Sequence, residues 1–110
     1  FPNIVKLKGF SVDLAKKFPP QSVDFVYIDA IHEYDFVRTD SLVWLPKVKR
    51  GGVIGGHDYE LIVDQKGIWY SRMLQERDPM SCHPGVKKAV DEIFVKPDKR
   101  YIDSSWAKRR

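Results

Sequence analysis

The chain has 110 residues, enough for one small domain around one core, and its 43% hydrophobic and 31% charged residues are those of a globular protein. Net charge is +4, but residues 1–55 carry eight basic against six acidic groups and residues 56–110 eleven against nine, so the excess is spread evenly and argues against a nucleic-acid-binding face. No apolar run approaches the roughly 20 residues that span a bilayer, and the lone Cys82 excludes an internal disulfide or a cysteine-rich zinc site and fits a reducing, cytoplasmic setting.

The sequence opens on Phe1 rather than Met, with no basic-then-apolar leader, so a partial chain without a secretory signal is expected. Ile4–Lys8 is short, β-prone and closed by Gly9. Val12–Phe18 places Val12, Leu14, Ala15 and Phe18 on one helical face. Asp13 sits in its first turn, where the helix dipole favours a carboxylate, and Pro19-Pro20 stops it. Val23–Ile28 is the strongest strand signal, and its near-continuous apolar run predicts burial on both faces of a parallel sheet. Tyr34–Val48 reads as a helix with Phe36, Val37, Val43 and Trp44 on its apolar side, ended by Gly51-Gly52. Val53-Ile54 follows as a short strand within Gly52–Gly56 and leads to His57-Asp58.

Tyr59–Cys82 has no clean period and reads as a long loop or lid with one short helix around Trp69–Gln75. His83-Pro84-Gly85 opens a helix, Pro84 suiting its first turn, with Val86, Ala89, Val90, Ile93 and Phe94 as the buried face. Tyr101-Ile102 and Ser105–Ala107 read as a closing hairpin around Asp103-Ser104, and the basic tail Lys108-Arg109-Arg110 as a solvated terminus. Strands alternating with helices predict one three-layer α/β domain over residues 1–110, mostly parallel with an antiparallel edge.

In open parallel sheets, ligands bind beyond the carboxyl ends of the strands. Asp29 ends one predicted strand, and His57-Asp58 ends the next. If these strands are neighbours, about 4.8 Å apart, their terminal side chains converge on one cation. Carboxylates favour Mg²⁺ or Mn²⁺, and His57 shifts the choice towards Mn²⁺, Fe²⁺ or Zn²⁺. His32, three residues beyond Asp29, falls one helical turn away as a general base. A metal holding a substrate hydroxyl would lower its pKa while His32 removes the proton. Each residue alone has a plainer role: Asp29 as a helix cap, His32 as a packing histidine, His57 as a satisfied strand-end group, Asp58 in an Asx turn. Their joint placement at two consecutive strand ends favours a site. Gly51-Gly52 and Gly55-Gly56 do not form G-x-G-x-x-G, and Gly55-Gly56 reads as a close backbone approach.

The segment Asp24-Phe25-Val26-Tyr27-Ile28-Asp29-Ala30-Ile31-His32-x-Tyr34 resembles the central motif of class I S-adenosylmethionine-dependent methyltransferases. The nearest branch is the metal-dependent O-methyltransferases, among them catechol and sugar O-methyltransferases and the cephalosporin hydroxylase-like group. Gly51–Tyr59 resembles the strand that follows, His83–Phe94 the next helix, and Gly9-Phe10-Ser11-Val12-Asp13 the turn against adenine. The resemblance implies a Rossmann-like sheet in the order 3-2-1-4-5-7-6, S-adenosylmethionine and a divalent metal (Mg²⁺ or Mn²⁺) as cofactors, and methyl transfer to a small-molecule hydroxyl. It implies that Asp29 and the pair His57-Asp58 ligate the metal, although a histidine at the first place of that pair departs from the family pattern. His32 would be the base. Phe10, Ser11 and Val12 would meet adenine, with Asp29, Ala30 and Ile31 along the cofactor cleft.

By the same match the chain starts at the family's third strand, so a truncated sheet without the glycine-rich loop is expected, and an inactive chain when alone. The edge of Val23–Ile28 would then be open. Ile4–Lys8 shifting beside it, a homodimer, or a missing N-terminal segment would cover that edge. The second functional reading is a non-catalytic fragment or interaction module; the third is metal-dependent hydrolysis.

Overall fold

The computed structural model describes residues 2–59, 83–101 and 104–110. The expected lid beyond Tyr59, its short helix, and the hairpin tip at Ile102-Asp103 lie outside the described residues. In chain order the elements are α1 (Ser11–Ala15), β1 (Val23–Ile28), α2 (Tyr34–Trp44), a 3₁₀ turn (Leu45–Lys47), β2 (Val48–Gly56), α3 (Pro84–Phe94), β3 (Lys99–Arg100) and β4 (Trp106–Arg109). No helix among the described residues is long and apolar enough to cross a membrane.

The sheet runs β1-β2-β4-β3. β1 and β2 are parallel, while β4 is antiparallel to both β2 and β3. This is the 4-5-7-6 half of the sheet order the resemblance implies, and it gives the mixed α/β architecture expected, with the antiparallel pairs at one side. β4 therefore enters between β2 and β3 rather than simply adding a hairpin at the edge.

One core joins the layers. Val37 of α2, Val86, Ala89, Val90 and Phe94 of α3, Ile54 of β2 and Trp106 of β4 are buried together, with Val26 and Ile28 of β1 packed against them. Along β1 the side chains alternate. Phe25 and Tyr27 point the other way and stay 56% and 46% exposed. The expected burial of β1 on both faces is thus corrected: its apolar run reflects one core-facing row and one exposed aromatic row.

Ile4–Lys8 forms no strand, and Ile4, Val5 and Leu7 are exposed. Among the described residues β1 pairs only with β2, so the expected shift of Ile4–Lys8 beside it does not occur. β-propensity alone does not make a strand, because its backbone groups need a ladder partner. α1 is shorter than expected. Beyond Ala15 the chain tightens through Lys17 N–H to Leu14 O and Phe18 N–H to Ala15 O, ahead of Pro19.

α2 ends at Trp44, not Val48. Pro46 has no N–H to give Leu42, so the last turn becomes 3₁₀ and Val48 already belongs to β2. Gly51-Gly52, expected as the helix exit, instead lies inside β2. There one β1 residue, Asp24, opposes the four residues from Lys49 to Gly52, and Gly51 takes a φ of +82°. The tail expected to be solvated is also corrected. The guanidinium of Arg109 donates to Gly51 O at 2.9 Å, and that of Arg110 to Pro46 O and Val48 O, so the tail braces the bulge. Asp98 accepts from Arg109 N–H and Lys108 Nζ, which hold its carboxyl below the usual range.

Gly55-Gly56 is the close approach the sequence suggests. A Cβ on Gly55 would lie 2.5 Å from Trp106 O, and one on Gly56 would strike Ile28 O and sit 2.9 Å from the Trp106 indole nitrogen.

Candidate active site and cofactor cleft

Parallel pairing of Ile28 with Gly56 brings the carboxyl ends of β1 and β2 side by side. His57 N–H continues the ladder to Ile28 O at 3.2 Å. Asp58 then takes a φ of 62°, a left-handed conformation that aspartate tolerates better than most residues. That turn directs its carboxylate back over the end of β1.

Asp58 is the hub. Its side chain is 14% exposed, and its Oδ2 lies 2.5 Å from His32 Nε2. Its Oδ1 lies 3.1 Å from His57 Nδ1 and 3.9 Å from His83 Nε2. His32 Nε2 is also 3.4 Å from Asp29 Oδ1. Asp29, His57 and Asp58 each offer a ligand atom, all within 4.8 Å of one another. Two carboxylates and one imidazole at that spacing suit a divalent cation from Mg²⁺ to the first-row transition metals.

His83 was legible only as the residue that opens α3. Its place beside His32, with ring centroids 4.3 Å apart, comes from tertiary packing. A Cβ on Gly85 would lie 2.6 Å from Tyr34 N and 2.9 Å from His32 O, so glycine lets the start of α3 press against the β1–α2 connection. Two phenols tie α3 to its neighbours, Tyr34 from α2 and Tyr59 from just beyond β2. Tyr34 donates to Glu92, and Tyr59 donates to Asp91 at 2.7 Å. The bond to Glu92 raises the pKa of Tyr34, and burial, followed by the Asp91 bond, raises that of Tyr59. Both are held as neutral donors, so neither competes with histidine as a base.

A cleft of about 730 Å³ adjoins this cluster. Its walls are the Gly9–Val12 turn, the carboxyl end of β1 with Asp29, Ala30 and Ile31, and Phe36, Asp40 and Trp44 of α2. Phe10, Ser11, Val12, Asp29, Ala30 and Ile31 thus all border one space. Phe36, expected on the packed side of α2, lines the cleft instead and remains exposed.

Asp40 is the residue that sequence reasoning missed here. It lies on the stripe of Val37, Ser41 and Trp44, where a carboxylate is out of character, and that misfit is the signal. It is 7% exposed, and burial raises its pKa, partly offset by a hydrogen bond with Ser11. The Ser11 hydroxyl also accepts from Trp44 Nε1 at 2.8 Å. A raised folded-state pKa penalises the ionised form, so the penalty is absent in acid and grows as pH rises above the normal carboxylate value. Asp40→Asn is therefore expected to raise the melting temperature at pH 7 and to have little effect near pH 3. An equal shift at both values would show that charge is not the cause.

A family model described as a methyltransferase domain matches residues 2–59. The matched segment holds the turn at Gly9–Val12, β1, α2 and β2, with Asp29, His32, His57 and Asp58, while His83 lies beyond it. No curated protein and no solved structure matches the chain. Spanning more than half of the 110 residues, the family match shows that this chain belongs to the methyltransferase domain family.

Proposed function

We propose that the chain supports S-adenosylmethionine-dependent methyl transfer to a small-molecule hydroxyl, forming the C-terminal portion of such an enzyme. The observation that carries this reading is the position of Asp29, which lines the cleft and also contacts His32 in the cluster with Asp58 at the carboxyl ends of two parallel strands. The donor brings an already activated methyl group, and a bound Mg²⁺ or Mn²⁺ would supply Lewis acidity towards the acceptor hydroxyl.

The remaining work falls to the protein. Phe10, Ser11 and Val12 would wall the adenine end of the cleft, and Ala30 and Ile31 its middle. Asp29, His57 and Asp58 would hold the metal. His32 Nδ1 would accept the hydroxyl proton as the acceptor oxygen bonds to the methyl carbon and the carbon–sulfur bond breaks, while Nε2–H donates to Asp58. Asp58 and Asp29 fix the His32 ring and stabilise the charge it gains. Alignment of acceptor and donor in one cleft supplies much of the rate.

Calorimetry of the complete protein with S-adenosylhomocysteine tests the cleft directly. Micromolar binding is expected, and Ala30→Trp, which fills the space, should remove it. If the complete protein, with the segment that supplies the glycine-rich loop, shows no binding, the donor site is refuted and a non-catalytic interaction module becomes the better reading.

A further inference from the structure

We infer that His32, Asp58 and His83 form a second metal site, selective for Zn²⁺-like cations and distinct from the oxygen-rich set of Asp29, His57 and Asp58. One ligand atom from each of the three residues lies within 4.8 Å of the other two. Asp58 presents its two oxygens in different directions, Oδ2 to His32 at 2.5 Å and Oδ1 towards His83 at 3.9 Å. His83 is 12% exposed at the side chain, and Gly85 fixes the start of its helix against the backbone of His32. The site is therefore part of the α2–α3 seam rather than a chance meeting of surface side chains.

The donor chemistry separates the two sets. Two imidazoles and one carboxylate match the three-ligand, open-position pattern of zinc, with a fourth place left for water. Zinc–nitrogen bonds of about 2.0–2.1 Å put tetrahedral donors roughly 3.3 Å apart. The His32–Asp58 pair would open by about 0.8 Å and the Asp58–His83 pair close by about 0.6 Å. Two carboxylates and one imidazole, in contrast, suit Mg²⁺ or Mn²⁺. Both sets use Asp58, so a cation in one weakens the other. Zinc at the nitrogen-rich set, bound through His32 Nε2, also leaves the ring proton on Nδ1. It would then switch off proton removal, a consequence that rests on His32 being the base.

Metal titrations of the whole chain test the site without donor or acceptor. Co²⁺ serves as the visible-absorption probe, Zn²⁺ as its competitor and Mn²⁺ as the electron-paramagnetic probe of the other set. His83→Ala and the bulkier His83→Gln should each lower Co²⁺ and Zn²⁺ affinity by about 100-fold or more, beyond the loss typical of an outer-shell partner, and leave Mn²⁺ affinity within about 2-fold. Asp29→Ala should do the reverse. Circular dichroism melts establish that each variant is folded. Unchanged Zn²⁺ affinity in both folded His83 variants would overturn the site, as would Zn²⁺ binding that depends on Asp29 but not His83. Failure of S-adenosylhomocysteine to bind would sink the methyl-transfer reading and leave the titration result standing.

Discussion

Trp106→Ala is expected to destabilise the domain by about 3–5 kcal/mol, the usual cost of truncating a buried large aromatic. Domains of this size are commonly stable by about 5–15 kcal/mol, so the loss removes much of the margin. Trp106 is 2% exposed and belongs to the one core that joins sheet and helices. Its ring meets Phe94 with centroids 5.6 Å apart, and its backbone pairs with Gly56. Gly55 and Gly56 have no side chains to refill the space, and a Cβ on Gly56 is blocked by Ile28 O. The cavity therefore cannot collapse from the β2 side. Urea denaturation followed by far-ultraviolet circular dichroism should show a lower midpoint with an unchanged slope. A loss below about 0.5 kcal/mol, the range of ordinary surface substitutions, would mean that β4 is not docked as described. Phe25→Ala on the exposed row of β1 provides the control and should cost little.

The same contrast shows what could be read from the sequence. β1 was placed residue for residue because its signal is local. The pairing of Asp29 with His57-Asp58 was legible because parallel neighbours bring their carboxyl ends together, whatever the loops do. The helical face of α3 was legible from its spacing. Features that depend on a partner were not. Ile4–Lys8 has strand composition but no ladder. Gly51 has the positive φ expected of a helix exit, yet uses it in a bulge opposite Asp24. The tail Lys108-Arg109-Arg110 looks solvated until carbonyls across the sheet claim its guanidinium groups. His83 reaches the site only because Gly85 lets two helices close on each other. Pro46 is the exception: its missing N–H is a local signal in the sequence, and it ends α2 one turn before Val48.

In the complete protein, Asp58→Asn is expected to lower the proposed metal-dependent methyl transfer by about 10²–10⁴-fold, the range associated with loss of a working general base. Asparagine is the informative replacement because it tolerates the 62° φ at this position as aspartate does, whereas alanine would add backbone strain. What it removes is charge. Asp58 has the shortest contact to His32, touches His57, and faces His83, so one neutralisation reaches every imidazole of the cluster. His32 would lose the carboxylate that orients it and would retain only the longer contact to Asp29. The metal set would lose one of its two carboxylates at the same time. The check is release of S-adenosylhomocysteine with catechol as probe acceptor at saturating Mg²⁺, alongside Mn²⁺ affinity by paramagnetic resonance. Turnover and Mn²⁺ affinity should fall together while the melting temperature stays within a few degrees. Retained turnover with a folded variant would remove Asp58 from the chemistry. Lost Mn²⁺ affinity with retained turnover would separate the metal from methyl transfer and leave His32 with Asp29 as the working pair.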